Sequence, residues 1–225
     1  MLKTIWTFDE QLCENVVWLI KEEGNHMTNT IITISRQFGS GGRTIGKLVA
    51  EKLGLKCYDG EIISEISKKS GFTEDFVKEN SESVGNSLFS SLANVGFYGQ
   101  SSQLTLWNAQ CNVIQNISKE EACVIVGRCA DYVLKNRKDI ELLRVYIYAD
   151  MDFRADRIVK QYGESDVNPK KRLNEKDKRR AAYYEIYTDQ KFGDPLNYDL
   201  CLNSSSLTID RCVELIVDEY ERKKK

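Results

Sequence analysis

The sequence predicts an α/β fold, a parallel sheet with helices on both faces. Three observations predict it. Short β-branched or apolar runs alternate with segments of helical period from Thr30 to Tyr220. The first run, Thr30–Ser35, leads through a glycine-rich turn straight into a helical pattern. Cys123–Val126 is apolar at every position, as a strand covered on both faces requires.

The elements follow in order. Residues 1–26 carry Phe8, Leu12, Val16, Leu19 and Ile20 at helical spacing and read as an N-terminal extension with a short helix. Asp9, Glu10 and Glu14 interrupt any continuous apolar run there, so the segment is not a signal peptide, and Met27 is a candidate alternative start. Residues 27–225 read as one domain. After the strand Thr30–Ser35, Ile45, Leu48, Val49 and Leu53 mark a helix that Gly54 stops. Leu55–Tyr58 is a short strand ended by Asp59-Gly60. Ile62, Ile63 and Ile66 mark a helix closed by Gly71, and Thr73 with Glu74 and Asp75 starts another.

Residues 81–103, rich in Ser, Asn and Gly without a clean period, read as a loop or mobile insert. Leu106, Gln110, Val113, Ile114 and Ile117 restore a helix. Arg144–Ala149 reads as a strand, Asp152–Tyr162 as a helix, and 168–192 as a charged, then Tyr-rich helix. Leu200–Leu202 is the last strand and Ile209–Tyr220 the last helix.

Composition narrows the function. The 225 residues carry 32 basic and 34 acidic side chains, a net charge of −2, which argues against a nucleic-acid partner. No run approaches the roughly 18–20 apolar residues of a membrane span. The single histidine, His26, nearly excludes a His-based zinc site or a Ser-His-Asp triad. Seven cysteines stand at 13, 57, 111, 123, 129, 201 and 212, without a C-x-x-C pair. Most lie in apolar runs, Leu200-Cys201-Leu202 among them, and read as buried free thiols of a reduced, cytoplasmic protein.

The chemistry sits in Ile34-Ser35-Arg36-Gln37-Phe38-Gly39-Ser40-Gly41-Gly42-Arg43-Thr44. Glycines between a strand and a helix free backbone N–H groups to face an anion at the helix N-terminus. The order approaches the P-loop G-x-x-x-x-G-K-[ST] without its lysine. In one register Gly42 takes the lysine position and Arg36 that of the first glycine; in the other, Arg43 takes the lysine position and Gln37 that of the glycine. The plainer reading is a turn that uses glycines for close packing.

With these residues in place the sequence resembles the cytidylate kinase-like family. Besides the turn at 34–46, Leu48–Gly54, Tyr58–Ile63, Val124–Arg128, Asp177–Ala181 with Tyr183-Tyr184, Gly193–Pro195 and Tyr198–Asn203 carry the resemblance. It implies a three-layer P-loop kinase fold: a five-stranded parallel sheet, an acceptor-binding insert (about 59–120) and a lid (about 154–192). Cytidylate kinases carry Gly-x-x-Gly-x-Gly-Lys-Gly-Thr. Gly39, Gly41 and Thr44 match it, and Arg36, Gly42 and Arg43 depart. Of their Arg-Asp pair, Arg128 is present but Cys129 replaces the aspartate. Asp177 and Arg180 match the lid's Asp-x-x-Arg.

The resemblance implies ATP as donor, Mg²⁺ as cofactor and a small nucleotide, CMP first, as acceptor. The amides of Gly39, Ser40, Gly41, Gly42, Arg43 and Thr44 would hold the donor β-phosphate, and Thr44 Oγ would orient Mg²⁺. Arg36 or Arg43 would replace the lysine's charge. Arg128 would hold the acceptor phosphate, with Asp59, Asp177, Arg179 and Arg180 as further acceptor contacts. Arg43, Arg128, Arg157 and Arg180 would neutralise the transferring group as the lid closes.

Bland alternatives stand beside these. Asp59-Gly60 is an ordinary turn pair, and Arg154 reads more readily than Arg157 as a solvated helix charge. Tyr183, Tyr184, Tyr187 and Trp107 read as packing residues. Two functions remain: a P-loop kinase, or a nucleotide-binding regulatory module with weak or no catalysis.

Overall fold

The computed structural model describes residues 29–59, 62, 98–163 and 168–224, and only the backbone at 98–103, 105 and 162. The expected extension at 1–26 and the expected helices after Ile63 lie outside the described residues.

Five parallel strands form one sheet: β1 (Asn29–Arg36), β2 (Lys56–Tyr58), β3 (Cys123–Val126), β4 (Ile140–Tyr148) and β5 (Leu200–Asn203). Their spatial order is β2-β3-β1-β4-β5, and every neighbouring pair is parallel. The helices are α1 (Gly42–Leu53), α2 (Tyr98–Glu120), α3 (Ala130–Leu134), α4 (Met151–Tyr162), α5 (Pro169–Thr188), α6 (Ser204–Leu207) and α7 (Ile209–Lys224).

Alternation along the central strands builds two cores. Ile32 and Ile34 of β1, Val124 and Val126 of β3, and Val145 and Ile147 of β4 face Ile45 and Val49 of α1 and Val213 and Ile216 of α7. Ile31, Cys123 and Ile125 point the other way, onto Val113 and Ile114 of α2 and Leu134 of α3. Each fully buried isoleucine contributes about 1.5–3 kcal/mol through the apolar surface it removes from water. A one-residue slip of β1 would exchange these two faces, so the pairing Ile34↔Val126 and Ile34↔Val145 is strongly specified. That register brings the carboxyl ends of β1, β3 and β4 to one rim, where open parallel sheets bind ligands.

The structure amends the sequence expectations at four places. Residues 98–103, expected within a loop, are the first turns of α2. Strand β4 begins at Ile140 and ends at Tyr148, so Ala149 lies beyond it. The five-residue α3 had no periodic signal to announce it, being too short to show a period. Cys201, expected to be buried, is exposed: on edge strand β5 it faces away from Leu202, which alone of the two enters the core. Among the described residues, no helix is long and apolar enough to cross a membrane.

Candidate functional site

The glycine turn leaves β1 at Arg36 and enters α1 at Gly42. Gly39 (φ +79°) and Gly41 (φ +83°) take the left-handed conformation that glycine adopts without strain. Helix α1 starts directly on Gly41, without a side-chain cap. Its first amides, from Gly42 to Thr44, have no acceptor within the helix and sit at the positive end of its dipole.

The turn is built from its own residues outward. Gln37 N donates to Ile147 O at 3.0 Å, and the Gln37 amide oxygen accepts from Ala149 N at 3.2 Å. Ser40 Oγ donates toward Gln37 O (2.9 Å) and Ile147 O (3.2 Å) and is fully buried. Its hydroxyl therefore holds the turn, and only its amide is placed to serve a ligand. Ser204 Oγ, from α6, donates to Ser40 O at 2.6 Å. Ile209 of α7 closes on Gly41 so tightly that a Cβ there would lie 2.5 Å from its Cδ1.

The arginines come from four elements. Arg36 lies at the end of β1 and Arg128 in the β3–α3 turn; both line a cavity of about 40 Å³ with Arg180 of α5, Ser35, Tyr183 and Tyr184. Arg180 Nη1 donates to Arg36 O at 3.2 Å. Arg157 of α4 reaches the turn from the other side and donates to Thr44 Oγ1 at 2.9 Å. The buried Nε atoms of Arg154, Arg157 and Arg180 have no hydrogen-bond partner among the described residues. Three buried Nε donors around one glycine turn are costly unless an anion or a water meets them.

Asp59 stands at the end of β2, 2.5 Å from Arg43 Nε and 3.9 Å from Arg36 Nη2. Asp177 accepts from Phe38 N (2.7 Å) and from Arg154 Nη1 (2.5 Å), so both its oxygens are engaged by the turn and by α4. Arg179 is half-buried and is not part of the cavity lining. Arg154 corrects the expectation of a solvated charge: only 4% exposed, it packs under Gly39 and reaches back to the turn through Asp177 and Phe38 O.

The β3–α3 turn is unusual. Gly127, Arg128 and Cys129 all have positive φ (80°, 61° and 53°), which is strained for the last two. Gln110 of α2, itself buried, donates to Arg128 O at 2.9 Å and accepts from Tyr183 OH at 3.3 Å. Sequence reading placed Gln110 only on a helical face. Trp107, Tyr183 and Tyr187 pack together as expected, with Trp107 and Tyr187 stacked at 4.4 Å between ring centres.

Beneath the cavity, Asp131 is 3% exposed and accepts from Tyr184 OH (2.6 Å) and Ser35 Oγ (3.3 Å). Burial raises its carboxyl above the ordinary range, against the lowering effect of those hydrogen bonds. Cys129 is buried, which pushes its thiol well up and makes it a poor nucleophile.

No cluster of three or more His, Cys, Asp or Glu side chains suited to a metal exists among the described residues. Mg²⁺ is commonly held by one or two protein oxygens with several phosphate oxygens and waters, and Thr44 Oγ and the Asp59 carboxylate are oxygens of that kind at this turn.

Residues 31–206 match the cytidylate kinase-like family. A cytidylate kinase of Archaeoglobus fulgidus is 31% identical over 196 residues, 86% of this chain and 96% of that protein. One of Methanococcus aeolicus is 27% identical over 190 residues, 83% of this chain and 94% of that protein. Among solved structures, an uncharacterized protein from Eubacterium ventriosum superposes with a TM-score of 0.62 at 24% identity, covering 86% of this chain and 99% of that one. Shikimate kinase from Bacteroides thetaiotaomicron shares the fold at a TM-score of 0.50 and 15% identity, over 85% and 98% of the two chains.

Proposed function

This chain belongs to the cytidylate kinase-like family, and from that premise we propose that it transfers the γ-phosphoryl group of ATP to a nucleoside monophosphate, with CMP the first acceptor to test. The observation that carries the proposal is the set of buried, partnerless Nε donors on Arg154, Arg157 and Arg180 around a glycine turn. Such a site favours a multiply charged anion held by several arms.

Phosphoryl transfer needs positioning and charge neutralisation more than covalent help. The amides from Gly39 to Thr44 cradle the donor β-phosphate. Arg128 and Arg180, on the cavity wall, hold the acceptor phosphate, with Arg179 beside them on α5. An oxygen of that phosphate bonds to the γ-phosphorus while the bond from phosphorus to the β,γ-bridging oxygen breaks. The products are ADP and a nucleoside diphosphate. Arg157 leaves Thr44 for the transferring group, and Arg43 exchanges Asp59 for the donor phosphates. When bound, Mg²⁺ would neutralise donor phosphate charge, held by Thr44 and, through water, by Asp59. Asp177 acts on the acceptor only by giving up Phe38 N or Arg154.

The test is a phosphoryl-transfer screen with ATP·Mg²⁺ against CMP, dCMP, UMP, other monophosphates, nucleosides and small hydroxyl acceptors. Acceptor-dependent ADP above a no-acceptor blank is expected. ATP binding without turnover on any acceptor supports the second reading, a regulatory module, which the glycine at position 42 favours because no lysine stands there.

A further inference from the structure

Arg36 and Gly42 stand in reversed order against the ordinary motif. With Gly41 as the second motif glycine, the register puts arginine where the first glycine belongs and glycine where the lysine belongs. The structure supplies the reason for the exchange. A Cβ on Gly42 would stand 2.6 Å from Arg36 Cβ and 3.0 Å from Arg36 Cγ. Those atoms are the fixed base of the arginine, not its mobile end, so no side chain fits at 42 while Arg36 is present.

The stem of Arg36 passes over Gly42, and its guanidinium packs against Gly127 with Nη1 foremost, where a Cβ would overlap it. The group is 14% exposed and lines the same cavity as Arg128 and Arg180. Arg43 is far more exposed, at 56%, and holds Asp59 at 2.5 Å, the same carboxylate that stands 3.9 Å from Arg36 Nη2. A planar fork packed against a glycine and 14% exposed is more confined than a 56%-exposed arginine on the first helical turn.

We infer that Arg36 supplies the positive charge that a lysine on α1 supplies in the ordinary motif, and that Gly42 and Gly127 are glycines to give its side chain passage. This rests on the phosphate-site reading above and goes further in assigning the charge to one residue. It also places the cation differently. A lysine rises from the helix beside the donor phosphates; Arg36 comes from the strand, between the turn and the cavity wall formed by Arg128 and Arg180. One fork then faces both the donor γ-phosphate and the acceptor phosphate.

Two variants of the full chain test this: R36M, which keeps a stem over Gly42 without charge, and R36G/G42K, which rebuilds the ordinary arrangement. ATP affinity is read by titration calorimetry and folding by thermal melting. R36M is expected to bind ATP at least tenfold more weakly than wild type at an unchanged melting temperature. R36G/G42K is expected to return to within threefold of wild type. R36M binding within twofold of wild type overturns the assignment, whatever the double variant does. A folded double variant no better than R36M also overturns it. If wild type itself binds no ATP, the phosphate-site reading fails and the assignment fails with it; if wild type binds, only the assignment is at stake.

Discussion

Arg154 and Asp177 pair across 2.5 Å and together hold both main-chain polar groups of Phe38. Arg154 Nη1 donates to Phe38 O at 3.2 Å, and Asp177 Oδ1 accepts from Phe38 N at 2.7 Å. One ion pair thus ties helices α4 and α5 to the glycine turn. Arg180, one helical turn beyond Asp177, adds its bond to Arg36 O on the same face of α5. The turn is thus fixed by the protein's own contacts, which lowers the ordering cost of binding.

Breaking the pair should therefore cost both stability and ligand affinity. In R154M the Asp177 carboxylate loses its buried partner, and in D177N the 5%-exposed Arg154 side chain is left unpaired. Each variant is expected to lose about 3 kcal/mol in urea unfolding and to bind ATP several-fold more weakly. A loss below about 0.5 kcal/mol would mean that the pair holds nothing.

Gln110 should govern acceptor use and leave the donor alone. It holds the strained Arg128 backbone through Arg128 O and meets Tyr183 OH on α5. Q110L frees that turn, and a misplaced guanidinium is costly in transfer chemistry. About a tenfold fall in kcat/KM for the acceptor is expected, with ATP affinity unchanged. Steady-state kinetics with each substrate varied in turn checks it; an equal fall for ATP would refute the division of labour.

G127A should be far more damaging than an alanine on an exposed turn. The new Cβ meets the Arg36 guanidinium directly, at a residue whose φ of 80° already disfavours any side chain. At least tenfold weaker ATP binding is expected together with a lower melting temperature. G54A, where a Cβ meets nothing within 4 Å, shares the positive φ and isolates the backbone contribution of about 1 kcal/mol.

The layout of the sheet was legible in the sequence because it rests on local period. Thr30–Ser35, Cys123–Val126 and Leu200–Leu202 fall within observed strands, and the glycine turn sits where its composition put it. What stayed hidden depends on long-range partners. Arg154 looks like one more charge on α4, and only its approach to Asp177, 23 positions away, buries it. Gln110 sits on an ordinary helical face until Arg128 O is brought beneath it. The exclusion at Gly42 comes from Arg36, six positions back in sequence, and no pattern rule measures the space between two β-carbons. Cys201 misled because a three-residue apolar run does not say which side of an edge strand is covered.

The pin between β4 and β5 sets an acid limit on stability. Asp199 accepts from Arg144 N (2.8 Å) and Arg144 Nη2 (2.8 Å), and both side chains are less than a third exposed. Partial burial raises the Asp199 carboxyl, but the hydrogen bonds and charge of Arg144 outweigh that, leaving it below the ordinary 3.8. A depressed folded value means stability that is present above the ordinary value and is lost as pH falls through the folded one. D199N is expected to be about 1 kcal/mol less stable than wild type at pH 7. The gap should close as pH falls below the ordinary aspartate value. A gap that persists undiminished in acid would mean the carboxylate's charge is not what pins β5.

The question for this site is whether a turn without its lysine moves a phosphoryl group. ATP labelled in its γ-phosphate, incubated with Mg²⁺, CMP and wild-type protein, answers it directly once the products are separated. Label in the terminal phosphate of CDP is expected. Label confined to ATP and inorganic phosphate, with no nucleoside diphosphate labelled from CMP or any other monophosphate, would show that the turn does not transfer phosphoryl groups to nucleotides.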